Sequence, residues 1–206
     1  MTEYVHDFRT SLAASHACAD EPFWERIYRA MFGPDLVACV STANALDWQR
    51  RGVDRLVILQ DGTQYNIDEK RRAWADTSDV MLEYMHQFDN GYVEPGWVAK
   101  PNRAHHFVCY AWVPRQLALL MTWPLLRRAW RQYGEEWRGR YPTYSARNRS
   151  YCSLNVAVPT GVLLETLQRA SWVNWGTQPA RAMDMHISAS VRSSGQGALW
   201  PPRGDC

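Results

Sequence analysis

Four residues in this chain have the types and spacing for chemistry: Asp54, and then Asp68, Glu69 and Lys70 fourteen to sixteen positions later. They bracket two β-rich runs, Arg55 to Gln60 and Gln64 to Glu69, joined through Asp61-Gly62. Asp-Gly between such runs is a hairpin signal. A two-residue turn at Asp61-Gly62 sets Asp54 opposite Glu69. A three-residue loop, Gln60-Asp61-Gly62 with Gly62 left-handed, pairs Leu59 with Thr63 and sets Asp54 opposite Asp68. Side-chain alternation favours the second register. It leaves Gln64, Asn66, Asp68 and Lys70 as one polar row, with Tyr65 and Ile67 on the Glu69 face.

Directly opposed strand residues have Cβ atoms about 5 Å apart, so Asp54 and Asp68 crowd two negative charges together. Such a pair costs free energy unless a proton or a cation lies between them. Oxygen-only ligands suit a hard cation, and Mg²⁺ is commonly held by one or two carboxylates with retained waters. Lys70 points to the same side as Asp68, where it can orient a water or neutralise charge on a phosphoryl group.

An Asp, a hairpin-length gap and Asp-Glu-Lys at a strand end resemble the signature of the PD-(D/E)XK nucleases, a superfamily that includes restriction enzymes and Holliday junction resolvases. Matched residue by residue, the resemblance makes Asp54 the first metal ligand, Asp68 the second acid, Glu69 the variable residue whose backbone carbonyl joins the metal shell, and Lys70 the catalytic lysine. Val53 stands where that signature has proline. The motif covers under a tenth of the chain. The resemblance implies an α/β fold, a restriction-endonuclease-like mixed β-sheet flanked by helices in an αβββαβ order. It also implies Mg²⁺ or Mn²⁺ as cofactor, DNA as partner and a homodimer. A glutamate from the preceding helix is a further expected site residue, Glu21 ahead of Glu25. Glu83 joins the site if its strand pairs beside that of Asp68. A solvated hairpin edge, its charges merely discouraging strand addition, is the plain alternative for the same residues.

The rest of the chain must position this hairpin. With 206 residues, 46% of them hydrophobic and 21% charged, it is long enough to bury one core. We expect a loose arm over 1–19, a nuclease domain over 20–187 and a disordered Ser-, Gly- and Pro-rich tail over 188–206. No apolar run reaches the ~20 residues of a membrane span, the start lacks the pattern of a signal peptide, and the five widely spaced cysteines read as reduced thiols, so the expectation is a cytoplasmic protein with no membrane partner. Charge is segregated. Residues 1–100 hold 10 Lys/Arg and 16 Asp/Glu, against 13 and 5 in residues 101–206. An acidic half that could bind metal beside an arginine-rich half suits an enzyme acting on a polyanion.

Asp20-Glu21-Pro22 opens a helix whose Trp24, Ile27, Tyr28 and Met31 recur at helical spacing up to Gly33-Pro34. Leu36 to Val40, Asp79 to Met85, Phe107 to Val113, Leu117 to Trp123 and Leu154 to Val158 read as strands, with a helix the alternative for Leu117 to Trp123; the third of these is apolar on both faces and therefore central. Gln87 to Ala104 reads as a breaker-rich loop, with His105-His106 as structural strand-end residues. Pro124 to Trp137 is the clearest helix. Its Leu126, Trp130, Tyr133 and Trp137 make a buried stripe, while Arg127, Arg128, Arg131 and Arg138 offer guanidinium forks to phosphate, joined by Arg71 beyond the hairpin. Thr160-Gly161 opens a last helix reaching Ala170. There is no Gly-x-Ser-x-Gly elbow, phosphate loop or dinucleotide fingerprint. The leading function is a Mg²⁺-dependent deoxyribonuclease. The alternative is a non-catalytic module that binds nucleic acid or protein through the Arg127 to Arg149 surface.

Overall fold

The computed structural model describes residues 22–73, 78–101, 103–167 and the backbone of 170–174. The expected arm, the Asp20 cap, Glu21 and the expected tail lie outside the described residues. Helix α1 (Pro22–Phe32) buries Phe23, Trp24, Ile27 and Tyr28, the face that their spacing of three and four residues dictates. Gly33-Pro34 then stops it and the chain enters β1 (Leu36–Ser41). A short helix α2 (Leu46–Arg50) leads to β2 (Arg55–Leu59) and β3 (Gln64–Arg72).

These strands belong to a six-stranded sheet of order β1-β2-β3-β6-β7-β10, with β6 at Phe107–Trp112, β7 at Leu117–Thr122 and β10 at Ala170–Asn174. Its neighbours run antiparallel except β3 and β6, which are parallel. A parallel pair needs a long crossover, usually a helix. Here the crossover carries β4 (Asp79–Phe88) and β5 (Val93–Pro95), which join β8 (Thr143–Arg147) and β9 (Tyr151–Pro159) in a second sheet of order β5-β4-β9-β8. The Asp79 strand thus pairs with Tyr151–Pro159 and not beside Asp68.

Both faces of the six-stranded sheet are covered, which explains the unbroken apolar run of β6. Cys109 and Ala111 point into a smaller core with α1, Val57, Ile67 and Leu120. Val108, Tyr110 and Trp112 point into a larger core shared with Val80 and Leu82 of β4, Val156 and Val158 of β9, helix α3 (Trp123–Arg140) and helix α4 (Thr160–Leu167). Each such fully buried side chain is worth about 1.5–3 kcal/mol. The start of β4 is tied to β6 by Trp112 Nε1 donating to the Asp79 carbonyl (2.8 Å) and the Met81 N–H donating to Tyr110 Oη (3.1 Å).

The protein is therefore α/β, but the expectation of one mixed sheet flanked by helices needs correcting. Helix α1 covers one face, and the other meets a second sheet as well as helices. The Tyr- and Ser-rich stretch after α3 is strand β8, and the run expected to be helical up to Ala170 ends its helix at Leu167. None of the helices is long and apolar enough to cross a membrane among the described residues. Cys39 and Cys109 are free thiols.

Candidate active site

The hairpin adopts the three-residue loop. Arg55 pairs with Ile67 and Ile58 with Gln64, and the Leu59 N–H donates to the Thr63 carbonyl at 2.9 Å. Gly62, at φ +82°, occupies the left-handed position that a side chain would strain, and Asp61 Oδ1 accepts the Thr63 N–H at 2.8 Å. Continued by one residue beyond Arg55 and Ile67, this register sets Asp54 beside Asp68, and the Asp54 N–H donates to the Ile67 carbonyl at 2.8 Å.

The two carboxylates do meet. Asp54 Oδ2 accepts the Glu69 backbone N–H at 2.8 Å. Burial, and then the charge of Asp68 within hydrogen-bonding reach, push the Asp54 carboxyl up to about 6, with Lys70 pulling the other way. Asp68 is 2% exposed. Its Oδ1 is bridged by the Lys70 ammonium, while its Oδ2 is buried with no hydrogen-bond partner among the described residues. Burial works against the charged Lys70, but Asp68 and Asp54 outweigh it and hold the ammonium above the ordinary lysine range. Lys70 Nζ also stands 5.4 Å from the centre of the buried Trp97 ring.

Glu69 stands elsewhere. Its carboxylate projects to the α1 face, where it accepts Arg55 Nε at 2.7 Å and Tyr28 Oη at 2.9 Å. Burial pushes Glu69 upward against the pull of Arg55, and the pairing holds Arg55 as guanidinium. The side chain is thus excluded from the Asp54–Asp68 site by strand alternation, although its carbonyl stays on the site side, 3.5 Å from Lys70 Nζ. Arg71 shares the α1 face, its guanidinium 5.2 Å over the Phe23 ring. Glu25 is paired with Arg29 at 2.6 Å one turn along the exposed side of α1, so it does not reach the acids.

Glu83 is on the second sheet. A bulge at Tyr84 resets the alternation of β4, so Glu83 and His86 share a face, opposite Asn155 and Ser153, and His86 Nε2 lies 2.7 Å from Glu83 Oε1. Burial opposes the Glu83 charge, but His86 and Lys70 hold its carboxyl below the usual range. Glu83 is therefore near enough to sense Lys70 without pairing with it.

Two neighbours carry no recognisable motif. Arg103 packs its guanidinium against Gly52, whose φ of +73° and missing Cβ leave the room, and its Nε is buried without a partner among the described residues. His105, 3% exposed, donates Nδ1–H to the Gly52 carbonyl at 2.8 Å, and its ring stands 4.4 Å from that of Trp123. Burial, then the charge of Lys70, push His105 down to about 3, so the imidazole is neutral. Arg103 lies at the end of the breaker-rich loop and His105 just after it. The only local hint of their placement is Gly52, two residues before Asp54.

Among the described residues no three His, Cys, Asp or Glu side chains gather into a ready metal cage. The donor set that does fit a hard cation is smaller: two adjacent carboxylates, one with a buried and unpartnered oxygen, which matches the two-carboxylate holding of Mg²⁺. The arginines of α3 split into two groups. Arg138 lies over Tyr84 at 5.3 Å with Glu135 4.0 Å away, and Arg140 pairs with Glu136 at 3.5 Å. Arg127, Arg128 and Arg131 make no ion pair among the described residues, Glu135 lying by Arg138 instead.

No family model, curated protein or solved structure matches this chain.

Proposed function

We propose that this protein is a divalent-cation-dependent nuclease that hydrolyses phosphodiester bonds in DNA. The observation that carries this reading is the meeting of Asp54, Asp68 and Lys70 on one sheet face, with a buried Asp68 oxygen that lacks a partner. The topology supports it. One helix, then three antiparallel strands, then a strand parallel to the third follow the order that a PD-(D/E)XK-like core requires, with β4 and β5 standing in for the crossover helix.

Asp54 and Asp68 would hold Mg²⁺ or Mn²⁺, joined by the Glu69 carbonyl. When bound, the cation supplies Lewis-acid stabilisation of the charge that builds on the phosphoryl oxygens. Lys70, kept charged by its two acids, orients the attacking water and neutralises the scissile phosphate. The Glu69 carboxylate stays out of the chemistry and keeps β3 clamped to α1 through Arg55 and Tyr28. DNA as substrate and a homodimeric assembly belong to the same proposal.

The test is incubation of the purified protein with supercoiled, linear and branched DNA in Mg²⁺ or Mn²⁺. Lys70→Ala is expected to lower cleavage by roughly 10²–10³-fold, the usual loss on removing one preorganised charge. Equal cleavage by wild type and Lys70→Ala, or none by either on all three substrates, would remove the assignment.

A second reading has its own observation, three arginines of α3 that make no ion pair among the described residues. As a binding module without catalysis, the protein would retain DNA in EDTA and lose it steeply with salt. Replacing Arg127, Arg128 and Arg131 together by Ala is expected to weaken binding on any sequence and to lower the salt slope by about 1 per arginine that meets a phosphate. Fluorescence anisotropy between 50 and 200 mM salt reads both, and an unchanged slope would take this helix out of the interface.

A further inference from the structure

We infer that one face of the second sheet is a stacking platform for unpaired bases, so that the substrate of this nuclease is single-stranded DNA led towards Asp54, Asp68 and Lys70. This rests on the nuclease reading and names its substrate class. Four rings touch in succession along that face. His86 stands 4.9 Å from Tyr151, Tyr151 5.3 Å from Phe88, and Phe88 5.6 Å from Tyr92. Strand register makes the row, with Phe88 directly opposite Tyr151 and His86 directly opposite Ser153. Large rings in contact ordinarily fill a core. These do not: Phe88, Tyr92 and Tyr151 belong to neither hydrophobic core, and Tyr92 is 60% exposed. The β4–β5 turn presents Tyr92 firmly, with Gly91 at φ +81° and Asn90 Oδ1 accepting the Tyr92 N–H at 3.0 Å.

The row begins where the candidate site ends. Trp97, whose ring lies 5.4 Å from Lys70 Nζ, is pinned against β4 by the Gly96 N–H on the Tyr84 carbonyl (2.9 Å) and the Val98 N–H on the Glu83 carbonyl (3.2 Å). Gly96 permits that approach, because a Cβ there would overlap the Glu83 carbonyl. From Glu83 to Phe88 is roughly 17 Å of strand, room for a few nucleotides. Charge at the far end suits a phosphate backbone. The Ser150 carbonyl accepts the Asp89 N–H at 3.2 Å, which sets the β8–β9 turn beside Phe88, with Arg149 exposed on it and Arg147 2.6 Å from Asp89. The acids along the face are already met, Glu83 by His86, Glu94 by Lys100 and Asp89 by Arg147. Rings for bases beside arginines for phosphates hold a single strand without regard to its sequence. A duplex keeps its base faces stacked inside and offers the rings nothing.

The experiment is fluorescence anisotropy of a labelled thymidine oligonucleotide, and of a blunt duplex of equal length, with the full chain in EDTA, followed by cleavage of both in Mn²⁺. Wild type is expected to bind the single strand at least about tenfold more tightly than the duplex. Tyr92→Ala, at an exposed position outside both cores, is expected to weaken single-strand binding by about 5–150-fold, the usual effect of removing one stacking ring, and to leave duplex binding unchanged. Tyr92→Phe keeps the ring face and should bind as wild type, whereas Tyr92→Leu keeps only apolar bulk and should lose affinity as Tyr92→Ala does. Equal affinity for both DNAs, or full single-strand affinity in Tyr92→Ala or Tyr92→Leu, would overturn the inference. So would the absence of thymidine binding, the outcome if another stretch of the chain or a partner protein occupies the rings. Single-strand binding without cleavage would remove the nuclease reading and leave the platform standing; cleavage that ignores Tyr92 would do the reverse.

Discussion

Asp54→Asn is expected to abolish divalent-cation binding and DNA cleavage and, in the same protein at pH 8 without metal, to raise the stability of the fold. The two effects share one cause. Burial and the Asp68 charge lift the folded-state pKa of Asp54 from 3.8 to about 6. Its protonated form is therefore favoured by folding. A carboxyl whose folded pKa is raised contributes stability at low pH that is lost as pH climbs from the unfolded value through the folded one, here between about 4 and 6. A shift of that size corresponds to a penalty on the order of 3 kcal/mol once both states are ionised.

Asparagine is neutral at every pH and retains an oxygen to accept the Glu69 N–H, so it escapes the penalty and keeps the bond. Denaturation midpoints measured from pH 4 to 8 in EDTA should show wild type losing stability relative to Asp54→Asn across that window. Added Mg²⁺ or Mn²⁺ should then stabilise only the wild type. A variant less stable than wild type at pH 8 would show that the Asp54 charge is not opposed by its surroundings. The pairing of gain and loss is the signature of a group retained for function at the expense of the fold.

The second large effect lies on the other face of the same strand. Glu69→Ala is expected to destabilise the protein by roughly 3–5 kcal/mol, because it leaves the Arg55 guanidinium buried without its counter-charge. Glu69 and Arg55 are about equally buried, and Tyr28 donates its hydroxyl to the same carboxylate, so no solvent stands ready to replace the lost partner. Chemical denaturation measures the cost directly. Glu69→Ala should nevertheless bind divalent cation with nearly wild-type affinity under conditions where it is folded. A selective loss of metal affinity without loss of stability would return the Glu69 side chain to the site. Arg55→Met tests the same pair from its other side: replacing the cation strands the Glu69 carboxylate and should also destabilise.

The hairpin was legible because its determinants are local. Asp61-Gly62 specifies a turn that only a left-handed glycine closes easily, and the alternation of Tyr65 and Ile67 with Asp68 and Lys70 allows one register that buries the apolar side. From that register the meeting of Asp54 with Asp68 follows without knowledge of any other element. The α1 and α3 stripes were legible for the same reason, since a period of 3.6 is written into adjacent residues.

Strand β4 shows where local pattern runs out. Its alternation identifies a strand but carries no mark of which sheet it joins. That choice was made by β9, some seventy residues away, and it put Glu83 on a separate sheet from Asp68. The short breaker-rich stretch before β6 was equally mute. His105 is held by a carbonyl at Gly52 and a ring at Trp123, neither near it in sequence.

The amino-acid order alone thus determined the turn, the register and the face on which Asp54, Asp68 and Lys70 gather, because backbone geometry and side-chain alternation act over a few residues. Only the tertiary structure decided that Glu69 and Arg71 turn away to α1, that the crossover is built of strands, and that His105 and Arg103 pack against Gly52. Those outcomes depend on which distant surfaces bury one another, and contacts of that range leave no periodic trace in the chain.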